Sequence, residues 1–173
     1  MVEAWRVIAQ FRHEPIALIL TRQPVPTLDR TKYVAAEGVR RGAYVLADAD
    51  DGQPQVLLLA SGSEVALCIE AYEILKDQGI RARVVSMPSW EMFEHYCRDH
   101  PDYREQVLPE SVTARVSVEK ASTLGWAQYV GRRGHSIGME TFGASAPLKE
   151  LQKKFGFTAD SIVVAAKQQI AAK

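Results

Sequence analysis

Gln55-Val56-Leu57-Leu58-Leu59-Ala60-Ser61-Gly62-Ser63-Glu64, running on through Val65 to Gly79, is the stretch that decides the fold. Val56 to Ala60 is a continuous apolar run of strand length, as expected of a strand buried on both faces. Ser61 to Glu64 is a turn with a capping signal. Ser63 can accept a hydrogen bond from an early helix N–H, and Glu64 puts negative charge at the positive helix end. Val65, Cys68, Ile69, Tyr72 and Leu75 then recur with helical period, and Gly79 stands where a left-handed C-cap is expected. A second apolar run, Ala82 to Val85, follows at once. Strand, helix and strand at this spacing predict a βαβ unit with a right-handed crossover.

Working outward, Ala43 to Ala47 reads as a short strand, and Asp48 to Pro54 is a turn rich in Asp, Gly and Pro. A short turn would make this strand an antiparallel neighbour of the central one. Downstream, Trp90 to Leu108 reads as short helices broken by Pro101 and Pro109. Ala114 to Val118 is another strand, Ser122 to Tyr129 a short helix and His135 to Met139 a last strand. One helix begins at Pro147 and ends near Gly156. Thr158 or Asp160 opens a final helix with Ile162, Val163, Ala166 and Ile170 on one face. The expected fold is three-layer α/β/α, with a mostly parallel five-stranded sheet and one antiparallel edge strand.

Upstream, Val2 to Arg12 has helical spacing, Pro15 stops it, and Ile16 to Thr21 reads as an all-apolar strand. A buried strand needs neighbours on both sides, so residues 1–23 are expected to be the tail of a domain whose larger part lies elsewhere. Residues 24–42, with Pro24 and Pro26, read as a linker, and residues 43–173 as the main domain. The 173 residues carry 21 Lys+Arg against 21 Asp+Glu, a formal net charge of zero. That balance argues against a nucleic-acid or anionic-membrane partner. With no apolar run of membrane-span length, no signal peptide and two cysteines outside any disulfide pattern, the expected location is cytoplasmic.

Backbone N–H groups around Ser61, Gly62 and Ser63 could hold a small anion at a helix N-terminus. The plainer reading, a capped turn, is preferred, because the loop lacks the lysine of a P-loop and the glycines of a dinucleotide fingerprint. His95, Cys97 and His100 match no common zinc spacing, and Asp48, Asp50 and Asp51 lack the ligand spacing of a calcium loop. Arg132 and Arg133 read as a basic surface turn, and Cys68 as a core residue. Arg22 follows an apolar strand at the end where α/β proteins bind ligands. Its guanidinium suits a phosphate or carboxylate, and a surface salt bridge is an equal alternative.

Four blocks resemble the C-terminal part of bacterial transketolases: Ala17 to Gln23, Ala60 to Val65, Arg83 to Ser89 and Gly138 to Pro147. They occur in family order and span essentially the whole chain. The resemblance implies part of an enzyme that moves a two-carbon ketol unit between sugar phosphates in a homodimer, using thiamine diphosphate and a divalent ion, Mg or Ca. It implies that residues 1–23 end the pyrimidine-binding domain and 43–173 form the C-terminal domain. It matches Arg22 to a family arginine that binds the sugar phosphate. It leaves the catalytic, cofactor and metal residues in the missing N-terminal domains, so the chain alone is expected to be structural and inactive. The competing expectation is an independent regulatory module binding a small anion or nucleotide near Ser61.

Overall fold

The computed structural model of the protein describes residues 1–172. Five strands form one sheet in the order β1-β3-β2-β4-β5. They are β1 (Tyr44–Ala47), β2 (Val56–Ala60), β3 (Ala82–Ser86), β4 (Arg115–Val118) and β5 (His135–Ile137). β2, β3, β4 and β5 are parallel, and β1 is the single antiparallel edge strand. The mostly parallel α/β architecture read from the sequence is therefore the observed one.

The apolar run of β2 is the middle of the sheet, and all five residues are 0 % exposed. Alternation along the strand sends successive side chains to opposite layers. Leu58 packs with Cys68, Ile69, Tyr72 and Leu75 of α2 (Glu64–Asp77) and with Ile162, Val163 and Ala166 of the final helix, Ala159–Ala171. Leu57 and Leu59 pack on the other side with Phe93, Tyr103, Val107, Trp126 and Tyr129. Those residues come from helices Trp90–Asp99 and Pro101–Val107 and from the segment around Ala127–Val130. Trp90, Phe93, Trp126 and Tyr129 meet edge-on or tilted, with ring centroids 4.9 to 6.2 Å apart.

β1 differs from expectation. It is antiparallel, but its partner is β3 rather than the central β2. Both edges of β2 are already taken by parallel neighbours, and the connection from β1 is not a tight hairpin. It is pinned instead at the far strand. Arg83 of β3, only 6 % exposed, donates from Nε and Nη2 to both carboxylate oxygens of Asp48, at 2.8 and 2.7 Å. Arg83 also donates to the Gln106 carbonyl at 2.7 Å. Arg115 plays a related part on β4, donating to the carbonyls of Val112, Tyr129, Leu108 and Pro109.

The amino-terminal segment is the other departure. Helix α1 is Val2–Ile8, packed against the 3-10 turn Ala36–Arg41, but Ile16 to Leu20 forms no strand. A strand needs a neighbour for its backbone groups, and this segment pairs with none of the five strands. Ile19 is 87 % exposed.

Candidate functional site

The strand order directs attention to the carboxyl ends of β2 and β4. From β2 the chain turns through α2 to β3 on one side; from β4 it proceeds to β5 on the other. Such a reversal between adjacent parallel strands opens a crevice at their carboxyl ends, where α/β proteins bind ligands. Ser61 follows β2 and Glu119 follows β4, and here they meet. The Ser61 hydroxyl donates to Glu119 Oε2 at 2.6 Å. Gly62, at φ +53, makes the left-handed turn that brings the chain into α2.

Glu64, the first residue of α2, is 4 % exposed. Its carboxylate accepts from the Ser63 hydroxyl and pairs with Lys120 Nζ at 3.0 Å. Ser63 stands at the N-cap position but makes no capping bond to the helix backbone, because its hydroxyl is turned to Glu64. Burial pushes the Glu119 carboxyl above the usual carboxylate range. The Ser61 hydroxyl pulls it back, while the charge of Glu64 pushes it further up. The crevice thus holds two carboxyl groups beside one ammonium, a chemistry suited to a shared proton or a cationic group. Lys120 also lines a mostly apolar recess of ≈ 190 Å³ with Met139, Leu151, Phe155 and Phe157.

Of the residues singled out from sequence, Ser61 and Ser63 belong to this group, and Gly62 shapes it. Glu119 and Lys120 join them without a motif to mark them; the one signal in the sequence is that Glu119 directly follows an apolar strand, as Ser61 does. Arg22 lies exposed in a bend, and among the described residues no hydrogen bond or ion pair joins it to the crevice. His95 Nδ1 lies 3.0 Å from Arg98 Nη2, and His100 stacks on Tyr96 with ring centroids 4.1 Å apart. Burial raises the Cys97 thiol and, more strongly, the Cys68 thiol. Among the described residues no group of three or more His, Cys, Asp or Glu side chains is placed to hold a metal ion. Asp50 pairs with Lys76, and Asp51 caps the Gln53 N–H.

Fold and crevice define a doubly wound α/β domain with a polar group at its topological switch point. Within that class the chain belongs to the transketolase-like TK C-terminal domain family, whose match covers residues 42–158. It is 47 % identical over 160 residues to the transketolase of Geobacillus stearothermophilus, covering 92 % of this chain and 24 % of that protein. It is 48 % identical over 166 residues to the transketolase of Halalkalibacterium halodurans, covering 96 % and 24 %. Among solved structures, a transketolase from Leishmania mexicana matches with TM-score 0.70 and 41 % identity, over 79 % of this chain and 19 % of that one. A Pichia stipitis transketolase in complex with sedoheptulose-7-phosphate matches with TM-score 0.74 and 33 % identity, over 87 % and 20 %. The chain spans about a quarter of the length of the curated relatives it matches.

Proposed function

We propose that this chain is the C-terminal portion of a cytoplasmic transketolase, a homodimer of the pentose phosphate pathway that transfers a two-carbon ketol unit between sugar phosphates. The observation that carries the reading is the unbroken likeness to curated transketolases at 47 % identity over 160 residues. In that enzyme thiamine diphosphate, held with Mg or Ca, supplies the carbanion chemistry. The residues described here do not suit that group. The crevice sets two carboxyl groups against one ammonium, which opposes a diphosphate. Cofactor, metal and catalytic side chains are therefore assigned to the N-terminal domains, and this chain to structure and assembly.

On this reading residues 1–23 close the pyrimidine-binding domain, residues 24–42 are the linker and residues 43–173 the C-terminal domain. Arg22 binds the sugar phosphate once the sheet of the preceding domain orders Ile16 to Thr21. The alternative of a regulatory module for a small anion or nucleotide at Ser61, Gly62 and Ser63 has less support, because Glu64 and Glu119 bring negative charge to that loop.

The test is a chimera in which this chain replaces the C-terminal quarter of a bacterial transketolase. Ketol transfer is expected from the chimera, and none from the isolated chain supplied with cofactor and metal. Turnover by the isolated chain, freed of contaminating enzyme, refutes the structural role. In the chimera, Arg22→Ala removes a charge-assisted hydrogen bond of roughly 1.5–3 kcal/mol, raising KM for sugar phosphates about 10- to 150-fold with less change in kcat. Unphosphorylated acceptors keep their KM; equal losses for both kinds of substrate make Arg22 structural.

A further inference from the structure

The sequence reads residues 24–42 as a single linker, but the structure fastens the second part of it. Among the described residues, none of Pro24, Val25, Pro26 and Thr27 makes a hydrogen bond. From Leu28 onward the chain is held. Leu28 packs against the core. Asp29 builds a tight turn: its carboxylate accepts from the Thr31 N–H and hydroxyl at 2.8 and 2.7 Å, and its carbonyl accepts from the Tyr33 N–H at 2.9 Å. The turn delivers Tyr33 into the core, where it is 9 % exposed. The Tyr33 hydroxyl donates to Glu73 Oε1 of α2 at 2.6 Å, and Lys32 Nζ pairs with Glu73 Oε2 at 2.7 Å.

One residue later the same run reaches the sheet. The Val34 N–H donates to the Leu46 carbonyl of β1 at 3.0 Å. β1 is an edge strand with β3 on its inner side, and outward backbone groups on such an edge are a template for another chain. Val34 occupies that acceptor. The 3-10 turn Ala36–Arg41 then lies against the strand, with Gly38 so close to Tyr44 that a Cβ there would stand 2.2 Å from Tyr44 Cγ. Gly42 ends the run, and its carbonyl accepts from the Ser89 N–H at 3.0 Å.

We propose that residues 28–42 are a latched strap that covers the outer edge of β1 and keeps it from pairing with another chain. The Tyr33–Glu73–Lys32 contact is the latch, because it ties the strap to α2 in the central βαβ unit, whereas Val34 ties it only to the edge strand. The strap opens from its amino end, where residues 24–27 are unbonded, and its carboxyl end stays on Ser89. The inference stands on these contacts and does not depend on the proposed function.

Trypsin acting on the native full chain tests the latch. Arg22 and Lys32 are both exposed, so exposure alone predicts equal cutting after each. A latched strap predicts rapid cleavage after Arg22 and slow cleavage after Lys32, because cleavage follows the population of the locally opened form. Tyr33→Phe keeps the buried ring and removes the hydroxyl bond to Glu73. It should speed cleavage after Lys32 about tenfold, with the rate after Arg22 unchanged. Cleavage after Arg83, inside the sheet, should stay slow and so separate strap opening from unfolding. Gly38→Ala should act in the same direction by pressing the strap away from Tyr44; should that variant fail to fold, Tyr33→Phe decides. Equal cutting after Arg22 and Lys32 in the parent, or no acceleration in Tyr33→Phe, overturns the latch. The guarding role has its own readout, the growth of intermolecular β-sheet by infrared spectroscopy on incubation. Tyr33→Phe should form it faster than the parent, and should still do so when both carry Ile19→Lys, which removes an exposed apolar residue of the amino-terminal segment. Faster cleavage without faster sheet growth, or a difference that vanishes with Ile19→Lys, refutes the guard.

Discussion

Leu58 lies at the middle of β2, with Val84 and Val116 beside it in register and no exposed surface. Leu58→Ala removes buried methyl groups where strands on both sides limit collapse, so it should cost roughly 2–5 kcal/mol. Chemical denaturation measures this, and a loss under about half a kilocalorie would contradict the packing described. Glu119 behaves oppositely, as a residue that weakens the fold at neutral pH. Its carboxyl is raised by burial and by Glu64, so the folded state binds its proton more tightly than the unfolded chain. The stability linked to that proton is present at low pH and is lost as pH rises through the folded value. Glu119→Gln keeps an acceptor for Ser61 and carries no charge. Melting temperatures should therefore favour the variant over the parent increasingly as pH rises from the ordinary carboxylate range to neutrality. A constant difference across that range would show that Glu119 does not titrate against burial.

At the scale of elements, two helices with the same apparent start signal behave differently. Thr158 accepts from the Ser161 N–H at 3.2 Å and caps the last helix. Ser63 precedes α2 in the same way but spends its hydroxyl on Glu64. Thr158→Ala should cost about 1 kcal/mol, the usual loss of a cap. Ser63→Ala should cost clearly less by the same measurement, since no backbone donor loses its partner; equal costs would mean that Ser63 caps in solution. This contrast shows where sequence reading succeeds. Val56 to Ala60, Ala82 to Val85 and Ala114 to Val118 were legible as buried parallel strands because their apolar runs are local and continuous. The partners of Ser61 and Glu64 were not, because Glu119 and Lys120 meet them across a crevice that only the tertiary fold creates. Ile16 to Leu20 shows the converse: five residues with strand composition form no strand where they pair with none of the sheet's strands. In the candidate site, Ser61 and Gly62 were visible as turn residues, whereas Glu119 announced itself only by its place after a strand.

At the scale of the whole molecule, the sheet is built around one local unit. β2, α2 and β3 are consecutive, and β4 and β5 add on the other side in chain order. β1 is the exception, since it comes first in the chain yet lies beyond β3. Its single sheet neighbour and the Asp48 contact with Arg83 both depend on β3 being in place. That placement has a consequence for how the protein opens and closes. β1 can dock only after the βαβ unit has formed, and it can leave without unzipping the four parallel strands. It should form a separate cooperative unit at the low end of the stability scale. Native-state hydrogen exchange should find the bonded amides of Tyr44–Ala47 opening at lower free energy than those of Leu57, Leu58 and Leu59, and equal protection would mean that all five strands exchange together. The strand that the chain synthesises first in this sheet is thus the last to be secured and the first to be released.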